Sequence, residues 1–190
     1  MKKLSCLVVT SLLFVGCGTQ TPDQEAAPAA ADAPTPEPHA NLAQLMRAIP
    51  FPNSNIIYDA GNEDPEAAKK AAEGGAGGGG SATKNYSNIY AGWQQVENAA
   101  LALSETANLL MIPGRMCENG KPAPTDREDF KKFTAQLAAA GEAAYKAAQS
   151  KNLDTMLEVG DTVTQACSDC HEVYRDKEDN ADRCTPPAAE

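Results

Sequence analysis

The chain has 190 residues, 42% hydrophobic but only 5% aromatic, with 26 acidic against 16 basic side chains and a formal net charge of −10. That length suits one domain with flanking segments, and the acidic balance excludes a non-specific grip on nucleic acid, which needs a basic face to neutralise phosphates. Six cysteines make the compartment the first question, because thiol chemistry depends on it.

The N-terminus answers it. Lys2-Lys3 precede an apolar run from Leu4 to Val15 that is too short to span a bilayer and reads as a signal peptide over residues 1–16. The run closes as Phe14-Val15-Gly16-Cys17, which looks like a bacterial lipoprotein cleavage box with Phe14 where Leu is more usual. Cleavage there leaves Cys17 as a lipidated first residue, held at the membrane by several acyl chains on the periplasmic side. The alternative is an ordinary secretory signal and a soluble periplasmic protein. Removing residues 1–16 takes away two lysines and no acid, so the mature net charge is −12. Residues 17–38 are then the lipidated cysteine and a Pro/Ala-rich tether, with Pro22, Pro28, Pro34, Pro36 and Pro38 and too few large apolar groups for a core. Largely extended at about 3.1 Å per residue, the tether reaches roughly 60 Å.

The globular part spans residues 39–184. A first helix over Asn41–Ile49 carries Leu42, Leu45, Met46 and Ile49 and is ended by Pro50 and Pro52. A long connection to Asn85 follows, in which Asp64-Pro65-Glu66 reads as an N-cap with proline at the first position of a brief helix. Part of this connection is expected to fold over the neighbouring helices. The glycine run of residues 74–80 has no preceding strand and no closing Gly-Lys-Ser/Thr, so it reads as a linker rather than a phosphate loop.

From Ile89 through Trp93, Val96, Ala100, Leu103 and Ala107 to Leu110 the apolar steps alternate four and three, the seam of a packed helix that stops at Pro113-Gly114. After an Asn119-Gly120 turn, Thr125 and Glu128 form a candidate capping box ahead of a small-residue seam of Phe130, Phe133, Leu137, Ala140, Ala144 and Ala147. The last helix starts near Asn152 and places Leu153, Met156, Gly160, Val163, Cys167, Cys170 and Tyr174 on one buried seam. Residues 185–190 read as a disordered tail.

Within that helix Cys167-Ser168-Asp169-Cys170-His171 spells C-x-x-C-H, the attachment pattern of a covalent c-type haem. Thiols at i and i+3 share a helix face and can each bond a vinyl-derived carbon on one porphyrin edge, while the next residue's imidazole reaches the iron. Two other readings use the same cysteines. A structural zinc site would draw on Cys117, Cys167, Cys170 and Cys184, and a thioredoxin-like dithiol would need a βαβ setting that no strand-alternating stretch supplies. Under the haem reading Cys6 leaves with the signal, Cys17 takes lipid, and Cys117 and Cys184 remain. An even remainder outside the cytoplasm suggests one disulfide between them, two free thiols being the alternative.

Helices, motif and position together resemble the class II c-type cytochromes, the cytochrome c prime family. The resemblance covers residues 40–178 and is most specific over Lys151–Lys177, where Leu153, Gly160, Cys167, Cys170, His171, Tyr174 and Arg175 match the family's C-terminal helix. It implies an all-α fold: an antiparallel four-helix bundle with one haem bound covalently near the end of the C-terminal helix, His171 as proximal ligand and Arg175 beside it. In an up-down-up-down bundle the second and fourth helices end at one pole, the pole of Cys117 and Cys184 and of the first helix. Low-spin members ligate iron with a methionine from that first helix, and Met46 matches it. His39, Met111 and Met116 are weaker distal candidates, and Met156 reads as core. The function implied is electron transfer with a redox partner protein, without enzymatic activity, and pairing as a homodimer stays open. The alternative within the family is a five-coordinate haem that binds NO or CO.

Overall fold

The computed structural model describes residues 35–73 and 89–185. The signal segment, Cys17, the tether up to residue 34, the glycine run of residues 74–80 and the tail beyond Thr185 lie outside the described residues.

Residues 35–40 run without helix or strand to Asn41, whose side chain accepts from the Gln44 backbone while Gln44 reaches back to the Asn41 amide. This reciprocal cap opens α1, Leu42–Ala48. Pro50 and Pro52 end α1 as expected, but the connection they open starts, against expectation, with a helix: they begin a second one, α2, Pro50–Asn62. Both prolines fall in the first turn, where the missing N–H would have had no intrahelical partner. They break α1 because the residue before a proline is steered out of helical geometry, and Ile49 sits at φ −124°, ψ −65°. The Asp64-Pro65-Glu66 signal does start a helix, α3, Pro65–Glu73, with the Glu66 amide donating to Asp64.

The next helix, α4, Trp93–Leu110, begins four residues later than its seam suggested. Ile89 is exposed, and Gly92 at φ +75° interrupts the backbone before Trp93. Gly92 has no side chain to cap the helix, and the Glu66 carboxylate accepts from the Trp93 amide instead, at 3.4 Å. Between α4 and the following helix an isolated bridge joins Met116 to Pro122 around the Gly120 turn; the described residues contain no strand. The expected Thr125/Glu128 capping box is not formed: α5, Glu128–Ser150, starts after Arg127 with no side-chain cap. The polar groups there serve a different network, described below. Lys151, in the left-handed conformation, ends α5, and Asn152 caps α6, Leu153–Tyr174, by accepting from Thr155.

The helices α2, α4, α5 and α6 pack in a closed round, α2 on α4, α4 on α5, α5 on α6 and α6 on α2, with α1 lying on α2. Their shared core joins Trp93, Val96, Leu103, Ile57, Met156 and Val163 to a field of alanines, Ala99, Ala100, Ala140, Ala144, Ala147 and Ala148. Small side chains let backbones approach. A Cβ on Gly141 would come within 2.6 Å of the Ser104 amide and 2.9 Å of the Ala100 carbonyl oxygen, so α4 and α5 meet there at glycine distance. Leu153, expected on the buried seam of α6, is exposed. A second, smaller apolar cluster of Leu45, Leu110 and Leu137 borders Met46 and Cys167.

Beyond α6 the chain turns back through a short 3-10 helix, Asn180–Asp182. The Cys184 amide donates to the Tyr174 carbonyl, and Cys184 is disulfide-bonded to Cys117, with Cα atoms 6.5 Å apart across 67 residues of sequence. Asn119 donates to the carbonyls of Asn180 and Arg183 at 2.9 Å each, which stitches the loop after α4 to the returning C-terminal segment.

Candidate cofactor site

Helical spacing alone brings Cys167, Cys170 and His171 to neighbouring positions on the last turns of α6. The packing adds what faces them: a cavity of about 550 Å³, lined by all three and by Met46 and Leu42 of α1, Phe51 and Tyr58 of α2, Leu110 of α4, and Phe133 and Leu137 of α5. Its volume is that of a site for a cofactor or drug-sized molecule, and its wall is mainly apolar. Met46 is half-buried against the Leu45, Leu110 and Leu137 cluster. Of the other distal candidates, His39 is exposed, and neither it nor Met111 nor Met116 lines the cavity; Met156 is fully buried in the core.

The two thiols are free. Burial pushes Cys167 up, and burial followed by the neighbouring Cys167 and Asp129 pushes Cys170 up to about 12, so both are protonated at neutral pH. A dithiol oxidoreductase needs the opposite, a depressed thiol pKa. Burial, followed by the Arg175 charge, pushes His171 below its ordinary value. A neutral imidazole keeps a nitrogen lone pair for a metal. Free thiols facing an apolar cavity, with an uncharged imidazole one residue on, fit a thioether-linked haem. The four-cysteine zinc set does not assemble: Cys117 and Cys184 are bonded to each other, and among the described residues no group of three or more His, Cys, Asp or Glu side chains is placed to hold a metal ion. Arg175 lines the cavity, but its guanidinium is engaged with Asp176, 2.6 Å from Nε to the carboxylate.

Two positioning groups escaped the sequence reading. Arg127 donates from Nε and Nη2 to the Asp129 carboxylate, at 3.0 and 2.8 Å, and from Nε to the Tyr174 hydroxyl at 3.1 Å; the Tyr174 hydroxyl itself donates to Asp129 at 2.8 Å. Arg127 holds Asp129 down at about 2, and burial followed by the Asp129 bond raises Tyr174 to about 12. With Phe130 and Phe133 edge-on to the Tyr174 ring, this triad pins the end of α6 to the start of α5. The second group is Arg115, 4% exposed, which donates to the Leu109 carbonyl at 3.0 Å and to the Ala40 carbonyl. With the Leu42 amide donating to the Met116 carbonyl at 2.9 Å, it ties the start of α1 to the end of α4 and so sets where Met46 stands. Neither group has a sequence signature, since each joins residues that only the fold brings together.

No protein-family model, curated protein or solved structure matches the chain. Among the described residues no helix is long and apolar enough to cross a membrane.

Proposed function

We propose that this protein is a periplasm-facing, membrane-anchored c-type cytochrome carrying one haem and working in electron transfer, with its helices forming an antiparallel four-helix bundle of the class II cytochrome kind. The observation that carries the proposal is the convergence of Cys167, Cys170, His171 and Met46 on one cavity. The alternation of helix ends supports the bundle: α5 meets the cavity with its N-terminal half and α2 from its N-terminus to Tyr58, whereas α4 and α6 meet it with their C-terminal ends.

Bound haem supplies one-electron iron chemistry. Cys167 and Cys170 would hold it by thioethers, and His171 and the Met46 sulfur of α1, which line the same cavity, would supply the iron's ligands. His/Met ligation would raise the potential, and the apolar wall would keep water from the site. The strong negative charge steers the carrier to a redox partner with a basic face, and a lipid on Cys17 with the tether of residues 17–38 confines the encounter to the membrane surface.

Mass measurement of the mature protein, exported by a host able to attach haem, is the primary test: the mass includes one haem, and a mass of the bare chain refutes the proposal. Met46→Ala is expected to convert a low-spin spectrum to high-spin and to lower the potential; an unchanged low-spin spectrum removes Met46 from the iron. A second reading rests on Leu42, which lines the same cavity one turn before Met46. With Met46, like Leu42, serving only as wall, a bound haem would keep an open position for NO or CO, and the wild-type spectrum would be high-spin and change with CO.

A further inference from the structure

The mouth of the cavity beside the disulfide is built from charges that do not balance. Glu118, next to Cys117, lies between two guanidiniums: Arg47 of α1 at 3.4 Å and Arg183, next to Cys184, at 3.5 Å. Both contacts are long for charge-assisted bonds. The remaining pair at this mouth is Arg175 with Asp176 at 2.6 Å, and Asp176 also feels the Arg183 charge without bonding to it. Among the described residues at this mouth, three cations therefore stand against two carboxylates. Arg183 is also incompletely bonded, its Nε being buried with no partner among the described residues, although a buried donor left unmade is costly. Its position is not left to a flexible tail, because the disulfide to Cys117 and the Asn119 bond to its own carbonyl hold its backbone.

We infer that Arg183, with Arg47 beside it, is an anion site completed by a carboxylate of the bound porphyrin, so that the disulfide-tethered C-terminal segment is part of the cofactor site. The inference rests on the haem reading above. A porphyrin carboxylate supplies what the mouth lacks, a negative charge and an acceptor for Arg183 Nε, while the tetrapyrrole occupies the apolar cavity behind it.

The test is the reduction potential of the holoprotein as a function of pH in wild type, Arg183→Gln, Arg183→Lys and the surface control Lys146→Gln, each first weighed for attached haem. Loss of a bond to a charged group moves the carboxylate's ionisation, read as the inflection of potential against pH, up by about one pH unit in Arg183→Gln. The potential above that inflection falls, because a positive charge near the iron has gone. Arg183→Lys recovers part of both effects, and Lys146→Gln leaves both unchanged. If all four proteins carry haem and Arg183→Gln matches wild type, this inference fails and the haem reading stands; if wild type carries no haem, both fail. A wild-type potential that depends on added phosphate, with that dependence lost in Arg183→Gln, assigns the site to a free anion and overturns the porphyrin assignment.

Discussion

The same helices build two unlike regions. Toward one end, Ala100 and Leu103 of α4, Ala140, Ala144 and Ala147 of α5, and Met156 and Val163 of α6 fill the interior with the chain's own atoms. Toward the other, Leu110, Leu137, Cys167 and His171, continuing on those helices, leave about 550 Å³ between them. Alanine seams let the helices close to glycine distance at Gly141, whereas the cavity end is spanned by leucines, Pro50 and aromatic rings, with α1 contributing Leu42 and Met46. The first region is a core complete in itself; the second is a frame whose rigidity comes from polar ties and a disulfide, the means open to a region with little apolar contact to spare.

Substitutions can break that contrast. The largest effect follows from the proposed haem: on that proposal His171→Ala is expected to abolish normal holoprotein, read as loss of haem mass and of a low-spin spectrum, and stable low-spin holoprotein from this variant would contradict the proposed site. Next come the core variants. Leu103→Ala removes a side chain with no exposed surface and is expected to cost about 2–5 kcal/mol in denaturant unfolding, with Leu137→Ala, at the cavity edge, costing less because less packing surrounds it. An equal cost at both positions would erase the distinction between filled and hollow ends. Gly141→Ala adds a methyl against backbone rather than side chain and is expected to cost about 1–3 kcal/mol.

Replacing Cys117 and Cys184 together by serine is expected to remove about 2–4 kcal/mol of stability and to loosen the segment that carries Arg183, seen as faster amide exchange over residues 176–185. The smallest effect is the pH response of the triad. Because Asp129 is held at about 2, below its ordinary 3.8, its contribution is fully present above the ordinary value and is lost as pH falls through about 2. Tyr174, raised to about 12 from 10, contributes below pH 10 and loses its contribution as pH rises through 12. Asp129→Asn should therefore flatten the acid limb of the stability profile relative to wild type; an unchanged acid limb would show that the triad does not carry it.

Local pattern determined a good deal of this protein. The four-and-three alternation placed the bodies of α4, α5 and α6, Asn152 and Asp64-Pro65 marked helix starts, and C-x-x-C-H put two thiols and an imidazole at neighbouring positions on one helix, because helical periodicity is a property of neighbours in sequence. The same logic rightly ended the first helix at Pro50 and Pro52 but missed the next one, since a proline stops one helix and starts another with equal ease, and only packing of Ser54, Ile57 and Ala60 into the interior shows that a second helix follows. It also misread Thr125 and Glu128, whose neighbours Arg127 and Asp129 reach Tyr174, some 45 residues away along the chain. What tertiary structure alone decided is which groups share the cavity: Met46, Arg47, Glu118 and Arg183 come from distant stretches and meet His171 because α1 is tied to the end of α4 and the C-terminal segment is bonded to Cys117. Spacing within a helix follows from backbone geometry, while a juxtaposition across helices depends on side-chain volume and buried polar pairing summed over the whole fold.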